Sequence, residues 1–475
     1  MKNILIAIRS IFKKGRHNVM KIVSLGIGLA VGLVLIAKVY FEQSYDDFYP
    51  DRDRVYQVWA KYQQNGGELK DYPQTSGGIA PTMQQQIPEI ETVTRYTSFG
   101  DWTFTMTDTK MKYSGRCIIA DSCFFDILPR PMLIGNAKEV LSTPMYVLIS
   151  SRIAKNIGGD VIGKNFTVDN SPGRTMTIGG VFEEVPENSH SRYDVIVSMA
   201  SAGRFMWEGS PTNMLGNDRY ISYVKLHKGV NPLALEEQVR TFVNSYFPPE
   251  EQQKVGLSID FSFHKLDNLH KELPQVKRMT WILSLLAFAL IFTAVMNYIL
   301  IVISSIVNRS KEVAVHKCYG ASENNIHGMM FGEALVHIVL SLILALLLIL
   351  AFRGTVEELL ATSLDSLLLS NGSLVLLGIC ILVFFVSGFM PGSLYARIPV
   401  ASAFRNYREN KRIWKKALLL VQFVATGFLV TMLVFVARQY TFMVNDRPGY
   451  AYENLAYCGL AGVDSTSRAK ILDEV

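Results

Sequence analysis

Long apolar runs and stretches of alternating polarity divide this chain into two kinds of territory. Charge-free runs at 279–308, 334–352, 366–396 and 417–437 each have about the 20 residues a helix needs to cross hydrocarbon. Four membrane spans are expected there. A fifth run comes first, at 19–41, with an uncharged core from 22 to 37 followed by Lys38, a side chain expected to snorkel from a helix end toward headgroups. A cleaved signal peptide is the rival reading, since Lys2, Arg9, Lys13, Lys14 and Arg16 would make its basic start. The far flank lacks a small-residue cleavage site, so an uncleaved anchor is expected. Within it Gly28-Leu-Ala-Val-Gly32 has the spacing that lets two membrane helices approach closely.

Between the first two runs the pattern changes. Residues 54–60, 145–149 and 220–226 read as strands separated by turn residues, while 80–86 and 232–246 read as helices. In the second helix Leu233, Leu235, Val239 and Phe242 are expected to share a face. The fold expected is a membrane protein: an α-helical transmembrane bundle of five spans, with a large α/β (α+β) extracytoplasmic domain inserted between spans one and two. In residue terms this gives a basic N-terminus at 1–18, span 1 at 19–41, the inserted domain at 42–278, and span 2 at 279–308. A cytoplasmic segment at 309–326, span 3 at 327–352, an outer loop at 353–370 and span 4 at 371–394 follow. A basic loop at 395–416, span 5 at 417–437 and a tail at 438–475 complete the chain.

Charge sets the orientation. Segments 1–18, 308–326 and 395–416 hold fifteen Lys or Arg against three acids, whereas 353–370 and 438–475 hold five against eight. Basic loops stay in the cytoplasm, so the N-terminus is expected inside and the inserted domain outside. With 49% hydrophobic and 19% charged residues and mean hydropathy +0.21, intrinsic disorder is excluded. A net charge of +6 is too small over 475 residues to argue for nucleic acid. Five cysteines without a CxxC pair exclude a disulfide scaffold or zinc module, and leave a single Cys117–Cys123 bridge open.

No pattern that carries catalysis is present. Gly158-Gly-Asp-Val-Ile-Gly-Lys-Asn165 approaches a phosphate-binding loop, but Asn165 stands where a magnesium-holding hydroxyl belongs. A turn capping a helix is the expected structure. His264 and His270 near Asp267 form a polar loop, and would need further ligands to hold a metal. Glu333 and His337, four apart on one helix face, suggest a proton relay, yet Glu333 stands at the membrane edge where a helix N-terminus stabilises an acid. Asn297 is expected to make a helix-to-helix hydrogen bond.

The stretch Arg309-Ser-Lys-Glu-Val-Ala-Val-His-Lys-Cys-Tyr-Gly-Ala-Ser322, with Glu333 beyond it, resembles the cytoplasmic signature of FtsX/MacB-type (type VII) ABC transporter permeases. Residues 26–32, 42–48 and 53–58 look like that family's first span and its exit into a MacB-like periplasmic core domain. Residues 162–164, 176–182 and 186–190 look like turn, strand and loop of that domain, and 392–404 like the exit from span 4. What the resemblance implies is a permease subunit with no cofactor of its own, ATP being bound by a separate cytoplasmic ABC ATPase. That subunit would dock on a coupling helix made by Arg309, Lys311, Glu312, Val313, Val315, His316, Lys317 and Gly320. Val313 and Val315 would enter an apolar groove while the charged residues set register. The residues alone allow equally a helix lying on lipid headgroups. His316 departs from the basic residue usual at its position, as Cys318 and Tyr319 fall on variable ones. Gly28, Gly32, Asn297 and Glu333 would pack the spans.

The family's mechanism is mechanotransmission in the bacterial inner (plasma) membrane, driving export or extrusion of an envelope substrate such as a peptide, antimicrobial peptides included, a lipoprotein or a drug. The alternative is a non-transporting regulator that activates a cell-wall hydrolase by the same motion. Expected partners are the ATPase, a second permease half or copy, membrane lipid, and either a periplasmic adaptor with an outer-membrane channel or a hydrolase. Residues 442–457 resemble the exit into a second outer domain, so the chain is expected to be the front part of a longer, duplicated permease.

Overall fold

The computed structural model describes residues 17–168, 171–216, 218–368, 372–396, 400, 413–445 and 470. The basic N-terminus, most of the basic loop, Cys458 and the expected second outer domain lie outside the described residues. Contacts divide the chain into two compact units, one built from the helices of 18–43 and 274–445, the other from residues 44–273.

In the helical unit, five helices are long and apolar enough to cross a membrane: α1 (Asn18–Gln43), α2 (Pro274–Ser304), α4 (Glu323–Ala351), α7 (Ser373–Ala396) and α8 (Ile413–Asn445). Between them lie α3 (Ile306–Cys318), α5 (Arg353–Leu360) and α6 (Leu364–Leu368). Helix α2 begins at Pro274 because proline's fixed φ suits a first helical turn, where its missing N–H is not needed. Helix α4 is capped by Ser322, whose Oγ accepts the Asn325 N–H at 3.3 Å.

Helix α1 packs on both α2 and α4. A Cβ added at Gly28 would overlap that of Ala294, and one at Gly32 would overlap Ile291, so these two glycines set how near α1 comes to α2. Leu25, Leu29 and Leu33 then join Val295, Ile299 and Ile338 in the buried core of the unit. Helix α8 packs on α2 and leaves most of its surface exposed.

Two expectations inside the spans are corrected. Lys38 does not snorkel: it is buried, its Nζ lying 2.7 Å from Glu42 Oε1 and donating at 2.7 Å to Thr362 Oγ1. Glu42 lies one helical turn further on, so the ammonium finds its counter-charge inside the bundle. Asn297 is half-buried and makes no side-chain hydrogen bond among the described residues.

The inserted unit is organised by one sheet. Its strands are β1 (Val55–Gln64), β2 (Lys70–Tyr72), β3 (Ile90–Met106), β4 (Lys112–Ala120), β5 (Met132–Ile134), β6 (Tyr146–Ser150), β7 (Asn165–Val168), β8 (Ser171–Phe182), β9 (Val195–Ser198), β10 (Ile221–Leu226) and β11 (Leu257–Lys265). They run in the order β11-β1-β10-β3-β4-β9-β6-β8-β5, with β2 on β1 and β7 against β3 and β8. The pairs β4–β9 and β6–β8 are parallel and the remaining pairs antiparallel. Helices Ile79–Gln86 and Glu236–Tyr246 cover the β1, β10 and β11 end through Met83, Val239 and Phe242. Leu233 is the exception to the expected face, at 71% exposed. It lies in a short tighter helical turn, Pro232–Leu235, whose three-residue period turns it away from the α-helical stripe that follows.

The first residues of this unit are clamped to its loop 188–190. Asp46, wholly buried and in the left-handed region at φ 60°, accepts from Ser189 Oγ at 2.9 Å and lies 2.7 Å from His190 Nδ1. His190 Nε2 meets the buried Tyr223 hydroxyl, and Asn188 Nδ2 donates to the Ser44 carbonyl at 2.8 Å. Cys117 and Cys123 are both free thiols. Cys117 is buried in the sheet core, where burial pushes its thiol well up.

Candidate functional site

Helix α3 is the segment on which the expected docking residues fall. It is separated from α2 by Ser305 alone, which keeps helical φ and ψ (−80°, −4°) and whose Oγ donates to the Val302 carbonyl at 2.6 Å; a side chain that takes a helix carbonyl in this way bends a helix. The continuous span expected to residue 308 therefore stops at Ser304. At its other end α3 closes on Gly320, whose φ of 85° is the left-handed conformation that glycine adopts without strain.

Residues two apart on a helix face nearly opposite sides, and α3 sorts accordingly. Arg309, Ser310, Val313 and Ala314 are buried, the last two within the core of the helical unit. Lys311, Val315, His316, Cys318, Tyr319 and Gly320 are exposed. Glu312 and Lys317 are half-buried between the two faces. Val313 and Val315 thus do not share a surface, and Val313 and Arg309 belong to the chain's own interior. Lys311, Val315 and Tyr319, each four residues from the next, make the outward stripe.

Arg309 reaches Glu333 on α4 through a two-pronged bridge, Nη1 to Oε2 at 2.7 Å and Nη2 to Oε1 at 2.6 Å. Both ends are buried, and the planar fork matches a carboxylate in direction as well as charge. Glu312 Oε2 lies 3.4 Å from Arg309 Nε, and the guanidinium carbon sits 5.5 Å from the centre of the Tyr395 ring on α7. The Tyr395 hydroxyl donates to the Val302 carbonyl at 3.1 Å and meets Ser305 Oγ at the same distance. One guanidinium therefore lies where the end of α2 and the helices α3, α4 and α7 converge. Glu333 is bridged to Arg309, and His337 Nδ1 meets the Tyr298 hydroxyl at 3.2 Å.

The rejected chemistry resolves into ordinary structure. Residues 158–164 connect a short helix, Ser151–Ile157, to β7, with positive φ at Gly158, Gly159 and Gly163. His264 stacks on Trp59 at 4.2 Å and His270 on Tyr45 at 3.5 Å, while Asp267 pairs with Lys265 at 3.2 Å. Each group is engaged separately. No cluster of three or more His, Cys, Asp or Glu fit to hold a metal occurs among the described residues.

Two family models match the chain. The MacB-like periplasmic core domain matches residues 20–242, and the FtsX-like permease C-terminal domain matches residues 284–400. The second match takes in α3, Glu333 and Tyr395, and the two domains stand in the order of the architecture described above. The chain is an FtsX/MacB-type permease.

Solved structures are similar to part of this permease. They include a domain of a protein described as a permease from Porphyromonas gingivalis (33% identity, TM-score 0.42, 46% of this chain and 91% of that one). The periplasmic region of MacB from Actinobacillus actinomycetemcomitans is 15% identical (TM-score 0.31, 46% and 91%). The extracellular domain of the noncanonic ABC-type transporter YknZ from Gram-positive bacteria is 11% identical (TM-score 0.31, 43% and 98%). At these TM-scores the assignment rests on the family models. Among curated proteins, none matches the permease. Permeases of this family are multi-pass membrane subunits that work with a cytoplasmic ATPase. Sequence spacing missed Tyr395 and Ser305, which are 90 residues apart. An Arg and a Glu facing each other across the Gly320 turn was the available signal for the bridge.

Proposed function

We propose that this permease couples ATP hydrolysis by a separate cytoplasmic ABC ATPase to motion of its extracytoplasmic domain, and that the outward stripe of α3 receives the ATPase. The observation that carries this reading is the two-sidedness of α3. Its inner face is anchored by Arg309, Val313 and Ala314, while Lys311, Val315, His316 and Tyr319 are left for a partner. Tyr319, 89% exposed, has the size and amphipathic character that concentrate binding energy at protein interfaces. Lys311 and Lys317 set charge register at the rim.

The work done is export or extrusion of an envelope substrate. An apolar groove of about 430 Å³ lined in part by Ile36, Ala287, Phe288, Ile291, Leu382 and Val383 suits the greasy part of a lipoprotein, peptide or drug. In the test, the full chain is co-expressed with the ATPase subunit, and Val315→Asp and Tyr319→Asp are compared with wild type for co-purification of that subunit. Loss of the subunit from well-folded variants is expected; its undiminished recovery with both would remove docking from α3.

A further inference from the structure

We propose that Arg309 and Glu333 are positioning residues that form a rigid joint, fixing the angle between α3 and span α4, so that a push on the outward stripe of α3 moves the span instead of bending the chain. The inference deepens the function proposed above and rests on it for its purpose.

Backbone continuity alone does not fix α3 against α4. On one side α3 is separated from α2 by Ser305, which keeps helical φ and ψ (−80°, −4°) while its side chain takes a helix carbonyl, a pattern that bends helices; on the other it is separated from α4 by the turn at Gly320, where φ is 85°. What remains is side-chain contact. Val313 and Ala314 supply apolar packing, which is non-directional and tolerates sliding and rotation. The bridge is different in kind. Two parallel N–H···O bonds between a planar guanidinium and a carboxylate define a relative orientation, and the far side of the same guanidinium is closed by the Tyr395 ring. The hydroxyl of that ring is held in turn by the Val302 carbonyl and Ser305 Oγ. Ser305, at the junction of α2 and α3, is thus tied through Tyr395 to the guanidinium that grips α4.

Stability alone gives little reason for charges in this place. Replacing a buried ion pair by apolar residues of similar volume is often neutral or stabilising, whereas removing one partner is strongly destabilising. A pair that packing could replace without loss of stability, and that sits between the junction at Ser305 and the turn at Gly320, is best accounted for by the geometry it imposes.

The test uses the full-length chain in lipid nanodiscs, with its native cysteines replaced and spin labels on Tyr319→Cys and Val339→Cys, positions exposed on α3's end and on α4. The label-to-label distance distribution is measured by pulsed electron paramagnetic resonance, with thermal unfolding recorded on the same samples. Wild type should give one narrow distribution. The double variant Arg309→Met/Glu333→Leu should keep the wild-type melting temperature and lose the narrow distribution, and the exchange Arg309→Glu/Glu333→Arg should restore it. A narrow distribution in the folded apolar double variant would overturn the joint and assign the placement of α3 to Val313 and Ala314. If that variant does not fold, Arg309→Lys, which keeps the buried charge pair and removes the two-pronged geometry, replaces it: broadening in a folded sample supports the joint and a narrow distribution overturns it. The measurement needs no ATPase. Broadening in the folded double variant, with a wild-type chain that fails to co-purify the ATPase, would keep the joint and remove docking; a narrow distribution in that variant, with a wild-type chain that co-purifies the ATPase, would do the reverse.

Discussion

Val313 and Val315 stand two residues apart on α3, and aspartate at each should have opposite consequences. Val313 is 1% exposed and packs in the core of the helical unit. Burying a valine side chain contributes about 1.5–3 kcal/mol, all of which Val313→Asp forfeits. The new carboxylate would also lie among apolar groups without a partner, a desolvation penalty of several further kcal/mol. The sum approaches the about 5–15 kcal/mol by which whole domains are stable, so this variant should be recovered unfolded or not at all. Val315 is 43% exposed, and surface substitutions of this kind stay within about 0.5 kcal/mol. Val315→Asp should therefore melt as wild type does while releasing the ATPase. Both variants are purified in nanodiscs, and unfolding is followed by tryptophan fluorescence before co-purification is scored. If Val313→Asp melts with Val315→Asp, the inner and outer faces of α3 are not those described.

Gly28→Leu should destabilise the chain markedly, since its Cβ alone overlaps that of Ala294 on α2, whereas Gly378→Leu, at a position with open space around it, should be tolerated; equal melting temperatures would contradict the close approach of α1 and α2. Asp46→Ala strips acceptors from Ser189 and His190, each unsatisfied group costing about 1–3 kcal/mol. Limited proteolysis should then cut within 186–193, and unchanged resistance would refute the clamp. Asp51 is held below the ordinary carboxylate range by its hydrogen bonds to Lys225 and then Arg54, and Glu91 by its hydrogen bond to Arg54. Groups depressed in the folded state stabilise it above their unfolded pKa of about 4, and that stability is lost as pH falls through the folded values. Thermal unfolding of the outer domain should move to lower temperature below about pH 4, and Asp51→Asn should flatten that dependence; an unaltered acid limb would rule these pairs out as its source.

What the sequence disclosed follows the range of the physics involved. The five spans are legible because crossing hydrocarbon imposes a local requirement, a run of about 20 apolar residues, and Gly28 and Gly32 declared themselves by a four-residue spacing. The strands at Val55, Tyr146 and Ile221 were legible from alternation. Their order was not, because β1 pairs with β10 and β11, more than 150 residues away, and alternation carries no information about partners. Which face of the candidate segment points outward was not legible. Val313 was placed beside Val315 although helix geometry turns them apart, and Arg309 was given to a partner although its own counter-charge lay at Glu333. Lys38 failed in the same way: a cation near a helix end was read against lipid, while its acid stood one turn further along.

The central claim is that an ATPase sits on the outward stripe of α3. A photo-crosslinking amino acid placed at Tyr319 in the full chain, in cells expressing the ATPase subunit, tests it most directly, with the same group at Trp281, 79% exposed on span α2, as the control. The account predicts a crosslink from position 319 to a peptide that mass spectrometry assigns to the ATPase, and none from position 281. Crosslinks to lipid alone from position 319, or capture of the ATPase equally from both positions, would contradict it.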